Sequence, residues 1–167
     1  MESTEEKAGT TRGFPTIYHQ LFGLRRLMEK TLSYHNQDIR KINYDITDDR
    51  FKLPGAGVRM VRLRVEPYLK KETSEQAAKR LVSAGYGLAT PGDLAAFLYD
   101  HPQEWDKWSW ILAVSEESRW TYCGSAYVVC AYNYDGNRGF THWALRDPVG
   151  LSESAPNGVL VIQGNMR

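Results

Sequence analysis

Apolar positions recur at steps of three and four through the first part of the chain. Leu21, Leu24, Met28, Leu32, His35, Ile39 and Ile42 form one stripe in "FPTIYHQLFGLRRLMEKTLSYHNQDIRKI", the period of an amphipathic helix. Pro15 suits a first helical turn, where its missing N–H does no harm. The pattern predicts one long helix over residues 14–43, about 40 Å at ~1.5 Å per residue. Gly23 inside it costs on the order of 1 kcal/mol and marks a place for a kink or break. The polar "NYDITDDRFKLPGAG" that follows is rich in Asp, Pro and Gly and predicts a connector.

The period then changes to two. In "VRMVRLRVEPYL", Val61, Leu63 and Val65 alternate with Arg62, Arg64 and Glu66, which predicts a half-buried strand over 58–69. Pro67 cannot donate to a ladder, so it ends the strand or puts it at an edge. Two short helices are expected over 74–100. Thr73 and Gln76 have the spacing of a capping box, Ala77, Ala78, Leu81 and Val82 supply the buried face, and Gly85 suits the C-terminal cap. Thr90, Pro91 and Asp93 open the second helix, which buries Leu94, Phe97 and Leu98 and stops at Pro102.

The start of that second helix, "SAGYGLATPGDLAAF", is glycine-rich and raises the question of a phosphate cradle. A Walker-type loop ends in Gly-Lys-Ser/Thr, and no lysine lies between Lys79 and Lys107. Asp93 in the first turn repels an anion. The stretch reads as a helix start.

From Trp105 onward short aromatic and β-branched runs alternate with turn residues: "KWSWILAV", "SAYVVCAYNY", "GFTHWALRD" and "NGVLVIQ". They predict an antiparallel sheet over 107–163, with a hairpin turn at "YDGN", residues 134–137. Alternation puts Trp108 and Trp110 on one face, and Tyr132 and Tyr134 on the face opposite Val129. The expected fold is a single α+β domain over 14–167 behind a disordered tail, 1–13. It has a long N-terminal helix and two short helices packed on a mainly antiparallel, aromatic-rich sheet.

Composition fits a globular chain of 167 residues, 42% hydrophobic and 25% charged. No apolar run reaches the ~18 residues of a membrane helix, and "MESTEEKAGTTRG" lacks the basic start and apolar stretch of a signal peptide. The expected compartment is the cytoplasm, with no membrane partner. Cys123 and Cys130 lie seven apart; on one strand they would face opposite ways about 23 Å apart, and they read as two small buried hydrophobes. Residues 20–80 hold fourteen Lys and Arg against eight Asp and Glu, whereas residues 81–167 hold five against nine. That basic bias could face nucleic acid or an acidic protein.

The middle and end form a familiar order: "GVRMVRLRVEPYLKKETSEQA", then "GYGLATPGDLAAF", "WSWILAVS", the hairpin "YVVCAYNYDGNRGFTHWAL" and a final "GVLVI". Over roughly residues 46 to 163 this resembles a group of small proteins, without assigned activity, that recur in genomes of ultra-small, candidate-phyla bacteria. Its most specific piece is Gly85 to Leu94. More loosely, the chain is similar to C-type-lectin-like domains, which place Gly-x-x-Leu-Ala-Thr before a helix and a Trp-rich sheet after it; this likeness implies a lectin-like fold. The only Glu-Pro is Glu66-Pro67-Tyr68, and Trp143 is followed by Ala144-Leu145, so the likeness does not extend to calcium or sugar binding.

Candidate chemistry is sparse. His19, His35, His101 and His142 are dispersed; His101 and His142 are the pair to consider for acid–base work, while His35 on the apolar stripe reads as a hydrogen-bonded core residue. Asp45, Asp48 and Asp49 offer oxygen donors without calcium-loop spacing, and read as turn and cap residues. The unusual feature is the aromatic content. Trp105, Trp108, Trp110, Trp120, Tyr132, Tyr134 and Trp143, joined by outward Arg62 and Arg64, compose the expected binding surface. The resulting expectation is a non-catalytic binding module for a protein partner, with no cofactor and no metal. The alternative is nucleic-acid binding through Arg25, Arg26, Arg40, Lys41, Arg62 and Arg64, and the third reading is a small hydrolase or nuclease.

Overall fold

The computed structural model describes residues 13–148 and 156–163. Eight strands form one mixed sheet: β1 (Phe14–His19), β2 (Val58–Pro67), β3 (Gly87–Leu88), β4 (Trp110–Ala113), β5 (Trp120–Tyr122), β6 (Ser125–Tyr134), β7 (Asn137–Ala144) and β8 (Asn157–Ile162). Four helices accompany them: α1 (Gly23–Tyr34), α2 (Ser74–Ser83), α3 (Pro91–Asp100) and the single turn α4 (Pro102–Trp105). The α+β class holds. The sheet starts from β1, which pairs only with β2 among the described residues, and continues through β8, β4 and β6. Tyr127 of β6 faces Trp120 on one side and Ala144 on the other. Hence β4 and β5 follow one another along one edge of β6, and β7 takes its opposite edge.

The expected 14–43 helix is corrected at both ends. Residues 14–19 are a strand, because burial there alternates: Thr16 and Tyr18 point inward while Pro15, Ile17 and His19 are exposed. Gly23, at φ +83°, absorbs the turn between strand and helix, a conformation open to glycine at little cost. The stripe is helical only where Leu24, Met28 and Leu32 carry it into the core. Asn36 at φ +57° ends the run, and Ile39 lies in a short 3₁₀ turn. No side chain of its own caps α1; Asp48 of the following connector does so, accepting from Arg25 N at 2.9 Å.

Both short helices start as their spacing predicts. Thr73–Gln76 and Thr90–Asp93 each form a reciprocal capping box. The 58–69 strand ends at Pro67, and the hairpin turn has positive φ at Asp135 and Gly136. A second such turn, Cys123-Gly124, joins β5 to β6. Cys123 is therefore exposed, and only Cys130 is buried; both are free thiols.

The sheet is not confined to 107–163 and is not wholly antiparallel. β8 inserts between β2 and β4, antiparallel to the first and parallel to the second. That position explains "NGVLVI": a strand covered on both faces reads as a continuous apolar run. One face carries α1 and α3, whose Leu24, Met28, Leu94 and Phe97 pack on Leu63, Leu160, Ile111 and Val129. The other carries α2, whose Ala77, Ala78 and Leu81 pack on Leu112, Val128, Cys130 and Val159.

One buried carboxylate joins the first layer to the sheet. Asp93, with no exposed surface, accepts from Tyr18 Oη (2.7 Å), from Arg59 Nε (2.7 Å) and Nη2 (3.0 Å), and from Thr90 N (2.9 Å). β1, β2 and the first turn of α3 meet at that group. Gly92 is required beside it, since a Cβ would lie 2.8 Å from Tyr18 Oη. Removing the carboxylate strands a buried phenol and the Thr90 N–H and leaves the partly exposed Arg59 guanidinium without its partner. Asp93→Ala is expected to cost about 3–5 kcal/mol and Thr90→Ala about 1 kcal/mol, read as shifts of the urea midpoint.

Candidate functional site

The aromatic side chains expected on one surface divide among three environments. Trp105 is fully buried and is corrected to a core residue. Its ring packs on Phe140 at 5.5 Å between centroids, and Nε1 donates to Tyr132 O at 3.1 Å. Trp108 precedes β4 rather than lying on it, so it packs with the α1/α3 core while Trp110 packs with the α2 core. The two do not share a face.

On the α2 side of the sheet Trp110 gathers Tyr132, Tyr134 and Trp143 at 5.6–6.1 Å. The tyrosines stand opposite Val129, as alternation predicts, and Tyr134 is exposed. On the other side Trp120 stacks on Tyr122 at 5.3 Å and lies 5.5 Å from Tyr127, with the Arg50 guanidinium 4.5 Å over its ring. The seven aromatics thus make no single continuous surface.

His142 sits beside that second group. Its Nε2 is 3.2 Å from Asp45 Oδ2, and Arg50 holds the other carboxylate oxygen at 2.8 Å. His101 lies elsewhere, its ring tilted against Phe14 at 4.5 Å and near Phe97. Among the described residues the two histidines have no ring or hydrogen-bond partner in common, and they do not converge on one substrate position. His35 bonds Leu98 O at 2.9 Å, and His19 is exposed on β1. Asp48 caps α1. Among the described residues no three His, Cys, Asp or Glu side chains gather as metal ligands, and no helix is long and apolar enough to cross a membrane.

The cations of the basic half are mostly engaged by the chain itself. Arg25 pairs with Glu29 and donates to Ile46 O, Arg64 pairs with Glu66 at 2.7 Å, and Lys41 bonds Gln37. Arg40 grips Asp38 at 2.7 Å, and that guanidinium holds the Asp38 carboxyl down at about 2. Arg26 and Arg62 form no ion pair among the described residues.

The feature that sequence reading missed is the open edge of β1. Ile17 pairs with Met60 and His19 with Val58 on the side of the sheet away from α1 and α3. Ile17, Met60 and Val58 are all more than half exposed, and so are Leu21 and Phe22 in the turn that follows. Arg62, opposite Pro15, borders this patch. A groove of about 380 Å³ runs beside it, lined by Ile17 and His19 of β1, Phe22 and Leu27 at α1, and Ala96 and Tyr99 of α3. The strand side chains and the helices lie on opposite sides of the sheet, so a groove touching both must pass along the β1 edge. The sequence carries little signal for this edge: the strand buries Thr16 and Tyr18 and exposes the more apolar Ile17, so hydropathy along Pro15–His19 does not alternate, and the helical stripe beside it dominates.

No family model, curated protein or solved structure matches this chain.

Tyr18 anchors the wall of the groove. Burial, then the neighbouring Asp93 charge, raises its phenol far above the ordinary 10. The folded chain holds that proton where the unfolded chain releases it. This stabilisation is complete below about pH 10 and declines above it, by about 1.4 kcal/mol per pH unit. Tyr18→Phe is expected to cost about 1–2 kcal/mol at pH 7, and its deficit relative to the parent should narrow above pH 10. Urea titrations between pH 7 and 11 give the comparison.

Proposed function

We propose that this protein is a non-catalytic binding module whose partner is another protein. The observation that carries the reading is the clustering of Ile17, Leu21, Phe22, Val58 and Met60, all exposed, around a sheet edge. Scattered exposed apolar residues are ordinary, whereas a contiguous group rimmed by polar residues marks an interaction site. Here Arg26, Lys30 and Arg62 supply that rim. The dispersed histidines give acid–base chemistry no common point of attack, and the engaged cations favour a protein over a nucleic acid. The Trp110–Tyr132–Tyr134–Trp143 group offers a second contact area to the same partner.

The experiment is affinity capture from native lysate with the tagged chain, nuclease-treated and washed at low and high salt. Met60→Glu serves as control, since Met60 is 55% exposed and its replacement leaves the core untouched. A protein partner held by the apolar patch should survive nuclease and high salt and fall at least tenfold with Met60→Glu. Capture of nucleic acid that is lost at high salt, or capture indifferent to Met60→Glu, would overturn the assignment.

A further inference from the structure

The β1 edge carries more than an apolar patch. In an antiparallel ladder successive residues turn their N–H and C=O groups alternately to the two sides of the strand. Arg62 turns its carbonyl away from β1, to Gln163 N at 2.8 Å, and Gln20 N reaches Gly57 O at 3.1 Å across the β1–β2 pair. Thr16 and Tyr18 therefore bond β2, while the backbone groups of Pro15, Ile17 and His19 point outward along the groove. The outward set comprises donors at Ile17 and His19 and acceptors at all three; Pro15 lacks an N–H.

β1 has only part of the usual protection of an edge, namely Pro15 and the overhang of α1 and α3. It carries no Lys, Asp or Glu and no bulge, the other devices that keep such edges from pairing. The far edge of the sheet differs: Ile42 bridges Phe140 of β7, and Asn43 N donates to Phe140 O at 2.9 Å.

Resting on the protein-binding reading above, we infer that the groove between β1 and the α1/α3 pair takes an extended peptide segment of the partner as an added strand, with an apolar anchor and flanking carboxylates. Strand addition uses main-chain hydrogen bonds for affinity and pockets for alternate side chains for selectivity. The inward-facing residue of the added strand meets Phe22, Leu27 and Tyr99, an apolar site. Charge selects the flanks. Arg26 and Lys30 line the α1 wall without an ion pair among the described residues, Lys30 lying 4.7 Å over the Tyr99 ring. The single carboxylate of the groove, Asp100, stands on the α3 wall. Two cations with no carboxylate partner among the described residues, on one wall, call for acidic residues beside α1.

The probes are two fluorescein-labelled heptapeptides, ETVLVTE and KTVLVTK, titrated against the full chain by anisotropy, with amide hydrogen exchange followed in parallel. ETVLVTE should bind at least tenfold more tightly than KTVLVTK. It should slow exchange at Ile17 and His19, and the double variant Arg26→Glu/Lys30→Glu should reverse the preference. Both cations are exposed, so the variant keeps its fold, checked by an unchanged urea midpoint. Binding of neither peptide, equal binding of both, or a preference that survives the double variant overturns the inference. So does sedimentation as a dimer with Ile17 and His19 already protected, which would give the edge to a second copy of the chain. If the lysate partner still depends on Met60 but ignores the double variant, the protein-binding reading stands and the groove inference alone falls.

Discussion

A carboxylate removed from water must have its lone pairs met, or it loses its charge or its place. Asp93 meets that condition with four donors drawn from three elements. One is local, the Thr90 amide of its own capping box. The others come from β1 and β2, which are thereby held at fixed distance from the first turn of α3. β1 hangs on the sheet through β2 alone among the described residues, so this ion pair and hydrogen-bond set is its second attachment. Two walls of the groove, β1 and α3, are elements that Asp93 ties together; the third wall is α1.

The central position of β8 decides where the aromatics go. A strand buried on both faces forces helices onto both sides of the sheet, and alternation then sends neighbouring residues to different layers. Trp110 and Trp120 consequently end on opposite faces, and Trp105 is absorbed by the core altogether. Burying such a ring is strongly favourable, so rings are recruited to whichever layer has room. What remains exposed mixes aliphatic and aromatic side chains, and the aliphatic group sits where layers end: Ile17, Val58 and Met60 lie beyond the reach of α2 on their side of the sheet.

Local signals were legible. The Thr73–Gln76 capping box, the helix start at Thr90, the Asp135-Gly136 turn, the alternation of β2 and the opposed faces of Tyr132 and Val129 depend on residues a few positions apart, and each stands as the spacing implied. Non-local pairings were not legible. Nothing near Asp93 announces Tyr18 or Arg59, 75 and 34 residues away, and nothing in "NGVLVI" states which two strands it will separate. The N-terminal misreading has a different origin. Leu21 falls on the helical stripe by spacing but is exposed in the turn, so a true stripe of Leu24, Met28 and Leu32 was extended backward over a strand. The six strand residues bury Thr16 and Tyr18 and expose Ile17, so they offer no hydropathy alternation to set against the helical pattern that abuts them, and only Gly23 between the two marks a boundary.

The two edges of the sheet show how this chain handles the hazard of unpaired strands. At β7 the connector after α1 returns to bond the edge at one bridge, where the Phe140 carbonyl accepts from Asn43 N. At β1 the same connector is engaged elsewhere, Asp48 capping α1 and Phe51 filling the core. The chain thus ties one edge to backbone at a single bridge and leaves the other to side chains, which overhang it from α1 and α3. An edge roofed by helices is hard for a flat sheet to approach, which limits non-specific pairing. A single narrow strand can still enter from the side. The roof that deters aggregation is the same wall that would give a bound strand its pocket and its charge, so protection and selectivity at β1 are one arrangement of the same residues.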